Sequence, residues 1–216
     1  DIKDEDLLEN LQTIEKQTKI CRKIVSDLLG YSRHSNSVRE AVDLNASMQE
    51  VIQLVEHAFF LNRIKIIHAP DNAIPPLTGD KERLKQVWLN LLNNAADAIG
   101  LDGVIYVQSK YNIHRQRVQV SVADTGNGVD KEHLNKIFDP FFTTKQVGKG
   151  TGLGLSVSFG IIKDHGGNIS AQSPPPTDYL PDDFSKAEHY GPGTVFIVEL
   201  PVGQDGESQT ENTGSE

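Results

Sequence analysis

The sequence predicts an α+β domain preceded by one long helix, and three observations carry that expectation. Residues 4 to about 33 run without proline as a single helical pattern, with Gly30 near its end. Beyond them, helical and strand-like segments alternate. Val104–Tyr111 and Arg117–Ala123 alternate apolar and polar residues, as paired, half-buried strands do.

In the first helix Leu7, Leu11, Ile14, Thr18, Cys21, Val25, Leu28 and Ser32 step by alternating fours and threes. That is a heptad seam, slightly polar in its middle, as a two-helix or four-helix interface requires. An amphipathic helix packed on its own domain would show a similar stripe. The polar run Arg33 to Arg39 reads as a linker that detaches the helix, which favours a partner helix.

Val42–Leu44 is a short strand in this reading, and Asn45 is a good N-cap for a helix through about Phe60. Ile64–His68 is a strand ended by Pro70. Asp80 caps a second helix whose buried face is Leu84, Val87, Trp88, Leu91, Leu92 and Ala95, and Gly100 and Gly103 end it. After the paired strands come a glycine-rich loop, a helix from Ser156 to His165 stopped by Gly166-Gly167, and strands at Ile169–Ser173 and Thr194–Leu200. Pro174 to Gly193 is a Pro/Asp-rich excursion, expected to be a surface insertion. No internal repeat is present.

Charge limits the partners. The net charge is −9, of which residues 1–15 carry −5 and 203–216 carry −4 without a base, so the middle is neutral overall. Nucleic acid is excluded as the main partner, because its recognition needs a basic stripe. The last segment reads as a disordered acidic tail. No apolar stretch reaches membrane-spanning length and no signal peptide opens the chain. The single cysteine, Cys21, cannot form an internal disulfide, which points to a reducing, cytoplasmic setting. A first residue of Asp rather than Met points to a piece of a longer protein.

Four blocks carry chemistry. Gly148-Lys-Gly-Thr-Gly-Leu-Gly-Leu155 leads into a helix, so several backbone N–H groups and a positive helix end can face one anion, most often a phosphate. It is neither a Walker A run, since Gly150 follows Lys149, nor the spacing of a dinucleotide fingerprint. Asn90 and Asn94 lie one turn apart on one helix face, where an amide oxygen can complete the shell of a Mg²⁺ held by phosphate oxygens; solvated asparagines would look the same. Asp97 adds a polar group or is simply surface. Asp124-Thr-Gly-Asn-Gly128 ends a strand with a carboxylate able to accept from the amine of adenine, and as an isolated string is also an ordinary turn. Phe138-Asp-Pro-Phe-Phe-Thr-Thr-Lys145 offers aromatics to anchor a lid and, with Lys149, cations for phosphate; the alternative is core aromatics and a solvated lysine.

In this order the blocks resemble those of two-component sensor histidine kinases, in the superfamily shared with DNA gyrase, the MutL mismatch-repair protein and a heat-shock chaperone. Asn90-Leu-Leu-Asn-Asn94-Ala-Ala-Asp97 is similar to the family's N box. Asp124–Gly128 is similar to its first glycine box, Phe138–Lys145 to its F box and Gly148–Leu155 to its second glycine box. Gly193-Thr-Val-Phe196 to Pro201 fits the closing strand, and Cys21 to Arg33 resembles the second helix of the dimerisation and phosphotransfer hairpin.

The resemblance implies a two-layer α/β sandwich of the Bergerat ATP-binding type, with a mixed sheet covered by helices. It divides the chain into the hairpin helix (1–36), the catalytic domain (37–202, with 174–193 inserted) and the tail (203–216). ATP would be held by Asn90, Asn94, Asp97, Asp124, Gly126, Gly128, Val129, Phe142, Thr144, Lys145, Gly148, Lys149, Gly150, Thr151, Gly152, Leu153, Gly154, Leu155 and Thr194. Mg²⁺ would sit on Asn94, with Asn90 and Lys145 as the catalytic candidates. The implied partners are a phosphotransfer helix of the same or a partner subunit, a response regulator, and a second subunit in a homodimeric parent.

Two departures shape the expectation. ATP-hydrolysing relatives carry a glutamate base one turn before the magnesium asparagine; Asn90 stands there and takes no proton at neutral pH, so hydrolysis should be poor. None of His34, His57, His68, His114, His133, His165 and His189 has the neighbours of a phospho-acceptor, so each is expected at the surface or in packing and the acceptor on a helix before Asp1. A gyrase-type ATPase and a non-catalytic nucleotide-binding scaffold are the alternatives.

Overall fold

The computed structural model describes residues 7, 8, 10, 11, 13–15, 18, 39–145, 150–181 and 191–202. A short ribbon pairs β1 (Glu40–Val42) antiparallel with β3 (Leu77–Gly79). The main sheet has the order β2-β4-β5-β7-β6, from Ile64–Ala69, Gly103–Asn112, Arg117–Asp124, Thr194–Pro201 and Asn168–Gln172. Only β2–β4 is parallel, so the sheet is mixed. Helices α1 (Leu44–Leu61), α2 (Lys81–Ile99) and α3 (Gly154–Asp164) cover one face. This is the expected two-layer α+β sandwich.

The α2 helix is the axis of the core. Leu84, Val87, Trp88, Leu91 and Leu92 have no exposed surface, as their three- and four-residue spacing dictates. Each fully buried side chain of this kind contributes about 1.5–3 kcal/mol. Asp80 caps the helix by accepting from the Arg83 N–H at 3.1 Å, and Gly100 terminates it at φ +74°, where a side chain would be strained. Gly103 opens β4 instead of ending α2. A Cβ there would fall 2.5 Å from an Ile99 methyl and 2.7 Å from the Thr125 hydroxyl.

The N-cap of α1 is Asp43, not Asn45: its carboxylate accepts from the Ala46 N–H at 3.0 Å, and Leu44 becomes a buried helical residue rather than the end of β1. Asn45 has another task. Its amide donates to the Asp71 carbonyl at 2.9 Å and its oxygen accepts from the Ser109 hydroxyl at 2.8 Å. Strand β3 was not expected, being three residues long with a single polar alternation.

At the far end of α3, His165 is a packing residue, as expected of it. Its Nε2 accepts from the Asp80 N–H at 2.9 Å and its Nδ1 donates to the Ile161 carbonyl at 2.7 Å, which fixes the neutral ring. Burial holds its pKa below the ordinary histidine value.

The outer sheet face has its own small cluster. Tyr106, Ala123, Val195 and Ile197 are buried there beneath Tyr179 and Leu180, which belong to the excursion after β6. The Tyr179 hydroxyl accepts from the Gln119 amide at 2.9 Å. The excursion is thus surface-borne but packed, at least through residue 181; residues 182–190 lie outside the described residues.

Residues 7, 8, 10, 11, 13–15 and 18 are helical, and the Thr18 hydroxyl donates to the Ile14 carbonyl at 2.8 Å. Leu7, Leu11 and Ile14 of the heptad seam are exposed. Cys21, Val25, Leu28, Ser32, most of the linker and the 203–216 tail lie outside the described residues. No helix among the described residues is long and apolar enough to cross a membrane.

Candidate functional site

The face of α2 beside its buried stripe is a rail along which the separate blocks attach. At its first station the Asn90 amide donates to the Gly154 carbonyl at 3.1 Å and to the Ser158 hydroxyl at 3.2 Å, tying α2 to the start of α3. One turn on, Asn94 Oδ1 accepts from Lys145 Nζ at 3.4 Å, and the same ammonium pairs with Asp97 at 2.6 Å. At the third station the Ala98 carbonyl accepts from the Asn127 N–H at 3.1 Å. A Cβ on Gly126 would fall 2.5 Å from the Ala98 carbonyl carbon, so only glycine allows that approach. From Asn90 to Ala98 the helix rises about 12 Å. The site is elongated, with a carboxylate at one end and glycine-lined amides at the other.

Asp124 ends β5 opposite Thr194 of β7 and is 1% exposed. Its carboxylate accepts from the Gly126 N–H at 2.8 Å and from the backbone of Thr194. Burial pushes its pKa up to about 7 despite those two bonds. Thr194 is itself buried. Gly128 takes φ +75°, and Val129 after it is half-buried against the main core.

The F-box aromatics divide. Phe138 stacks on Phe159 of α3 with centroids 5.8 Å apart, and Phe142 tilts against His133 at 5.5 Å. Phe141 stays 65% exposed at φ +66°, a conformation that bulky residues rarely adopt. Its N–H donates to the Gly152 carbonyl at 3.0 Å, and Gly152, also at positive φ, has no room for a Cβ against the Phe141 carbonyl. Two of the three aromatics therefore anchor the block, and the third is held by its backbone. Thr144 is exposed.

Of the second glycine box, Gly148 and Lys149 lie outside the described residues. Gly150 approaches the Thr143 hydroxyl and the Lys145 stem, the Thr151 hydroxyl accepts from the Leu153 N–H at 3.4 Å, and Leu153 is buried. Leu155 packs on the core. No side chain among the described residues caps α3, so its first N–H groups and positive dipole end are directed at whatever lies beyond Gly154. An anion satisfies both.

Several residues of this region were not legible in the sequence. Ala98 approaches Gly126 through its backbone alone. Ser173 and Gly191, beside Gly193 of the closing strand, brace the first glycine box, with hydrogen bonds from Val129 N to Ser173 Oγ at 2.9 Å and from Gly191 N to the Thr125 carbonyl at 3.0 Å. No group of three His, Cys, Asp or Glu side chains among the described residues could hold a metal by itself.

The comparisons with known proteins agree with this geometry. Residues 79–204 match the family described as histidine kinase-, DNA gyrase B-, and HSP90-like ATPase. The chain is 38% identical over 199 residues to the signal transduction histidine-protein kinase AtoS of Escherichia coli (strain K12), covering 92% of this chain and 30% of AtoS. It is 39% identical to the sensor histidine kinase ZraS of Klebsiella oxytoca, covering 87% of this chain and 37% of ZraS. The chain thus spans about a third of the length of these curated relatives. Among solved structures, the catalytic domain of histidine kinase ThkA superposes with a TM-score of 0.62 at 35% identity, over 76% of this chain and 96% of that one. ThkA in complex with the response regulator protein TrrA gives 0.70 at 31% identity, over 92% of this chain and 52% of that one. With the four blocks gathered along one helix in this fold, the chain belongs to the histidine kinase-, DNA gyrase B- and HSP90-like ATPase family, as the catalytic, nucleotide-binding part of a sensor histidine kinase.

Proposed function

We propose that this chain binds Mg-ATP along α2 and transfers the γ-phosphoryl group to a histidine carried on a separate phosphotransfer helix, for relay to a response-regulator aspartate. The carrying observation is the order of stations on one helix: Asp124 and Gly126 at Ala98, Lys145 at Asn94 and Asp97, and the bare end of α3 at Asn90. That order suits a ligand with a base at one end and phosphates at the other.

In this reading Asp124 accepts from the adenine amine, while Gly126 and Gly128 bring the backbone against the base. The N–H groups of the second glycine box and the α3 dipole neutralise phosphate charge, and Lys145, with Lys149, adds a cation. Asn94 offers the metal ligand, and the observation that supports it is its oxygen already facing the Lys145 ammonium beside the Asp97 carboxylate. Asn94 would hold a Mg²⁺ there, whose positive charge would offset that of the phosphates during transfer. Catalysis is then mostly positioning: an imidazole nitrogen displaces ADP from the γ-phosphorus in line.

Asn90 supports a kinase over an ATPase. Its amide group donates to Gly154 and Ser158 and has no basicity to activate water. The exposed Leu7, Leu11 and Ile14 support residues 1–36 acting as one helix of a dimerisation hairpin, in a homodimeric parent. Calorimetry and γ-labelled ATP test the proposal together. The chain should bind Mg-ATP, not label itself, and label an added hairpin that carries a His-acid pair. No heat with millimolar ATP, or stable self-labelling of the chain alone, would sink it.

A further inference from the structure

We propose that Ser173, at the root of the 174–193 excursion, is a positioning residue for the nucleotide base, holding the Gly126–Val129 loop in the shape that distinguishes adenine. The inference rests on the nucleotide reading above and adds to it a residue outside the four blocks.

The Ser173 hydroxyl bonds in both directions. It accepts from the Val129 N–H at 2.9 Å and donates to the Gly193 carbonyl at 2.7 Å, so one small group joins the far end of the base loop to the entry of β7. The returning end of the excursion supplies the next two ties: Gly191 N–H to the Thr125 carbonyl at 3.0 Å and Gly193 N–H to the Gly126 carbonyl at 2.9 Å. There is no slack in this wall. A Cβ on Gly191 would collide with the Gly126 carbonyl oxygen, and one on Gly193 with that of Asp124. A Cβ on Gly128 would fall 2.8 Å from the Ser173 hydroxyl, and Gly128 is at φ +75°. The opposite wall is the α2 backbone at Ala98.

The loop is therefore a ribbon clamped between α2 and the excursion. Asp124 is tied to this ribbon: its carboxylate accepts from the Gly126 N–H and from the backbone of Thr194, next to Gly193. Removing the Ser173 hydroxyl would strip partners from the Val129 N–H and the Gly193 carbonyl together, and so loosen the donors that aim the Asp124 carboxylate at the base. What loosens is the stretch that passes the base. The phosphate end is held by other contacts, through Asn90, Phe141 and Thr143, so a defect at Ser173 should be confined to base recognition.

The test compares ATP with inosine triphosphate, which carries a carbonyl where adenine carries its amine. Binding of each is measured by competition in the wild type, Ser173→Ala, Ser173→Cys and Ser173→Thr, with a melting curve for every variant. Ser173→Ala should weaken ATP about five- to tenfold while inosine triphosphate changes by no more than about twofold, the loss expected of one hydroxyl's net hydrogen bonding. Ser173→Thr should restore ATP binding, and Ser173→Cys, of nearly the same shape with weaker bonds, should fall between and carries the test where the alanine variant does not fold. A folded Ser173→Ala with wild-type ATP affinity overturns the proposal, as does an equal loss for both nucleotides, which would mean general slackening. Wild-type chain that binds neither nucleotide overturns the nucleotide reading and this inference with it.

Discussion

Asp124→Asn should stabilise the empty protein at alkaline pH while weakening the nucleotide. The carboxyl's pKa rises from 3.8 in the unfolded reference to about 7 in the fold, because burial outweighs the bonds from Gly126 and Thr194. A raised folded pKa means that the folded state holds the proton more tightly. Its stabilisation is complete below pH 3.8 and is lost as pH rises through 7. The shift corresponds to about 4 kcal/mol of stability surrendered above pH 8. Asparagine never ionises, so it avoids that loss, although its amide cannot accept both backbone bonds and forfeits about 1 kcal/mol. The net gain is about 3 kcal/mol at pH 8.5, or a rise in Tm of roughly 6–12 °C for a domain this size. At pH 5 the gain shrinks to about 1 kcal/mol or less, since the wild-type carboxyl is then protonated in the fold. Nucleotide binding moves the other way, because losing a charge-assisted bond to the base amine should cost about 1.5–3 kcal/mol, roughly 10–150-fold in Kd. Melting curves at both pH values, with ATP titrations at pH 8, measure both effects. A variant whose Tm advantage is the same at pH 5 and 8.5 would refute the buried-carboxyl argument, and unchanged ATP affinity would refute its role toward the base.

Asn94→Ala should weaken ATP roughly tenfold in magnesium and leave the affinity in EDTA unchanged, as isothermal titration in the two buffers would measure. Lys145→Met should reduce the preference for ATP over ADP in the same titrations with little change in Tm, because its pair with Asp97 is half in solvent and worth under about 1 kcal/mol. His165→Gln should flatten the acid side of the stability profile. The folded pKa of His165 lies below 6.5, so its stabilisation is present above pH 6.5 and lost as pH falls below it, and denaturant melts from pH 5 to 8 would register the difference.

The elements that the sequence made legible are those whose signal is local. The Asp80 cap and the Leu84-to-Ala95 stripe specify α2 without reference to anything distant, and β4 and β5 announce themselves by alternation. The α1 cap was misplaced because Asp43 and Asn45 are both good capping types. Only the fold shows Asn45 engaged by Asp71 and Ser109, 26 and 64 residues away. In the site, the glycine boxes were visible as strings, yet the reason for Gly126 is the Ala98 backbone, which no spacing rule indicates. Ser173 was invisible for the same reason: its partner Val129 is 44 positions distant, and a serine at a strand end has no signature of its own.

The small apolar cluster on the sheet's outer side bears on handling the protein. Tyr179 and Leu180 shield Tyr106, Ala123, Val195 and Ile197 from water. Polar replacements at Tyr179 and Leu180 would spare the Gly191 and Gly193 braces of the base loop yet unveil a sticky plateau on this side of the sheet. Such variants should then fail by clouding and precipitating at working concentrations, and a loss of signal in their assays would report colloidal behaviour rather than chemistry.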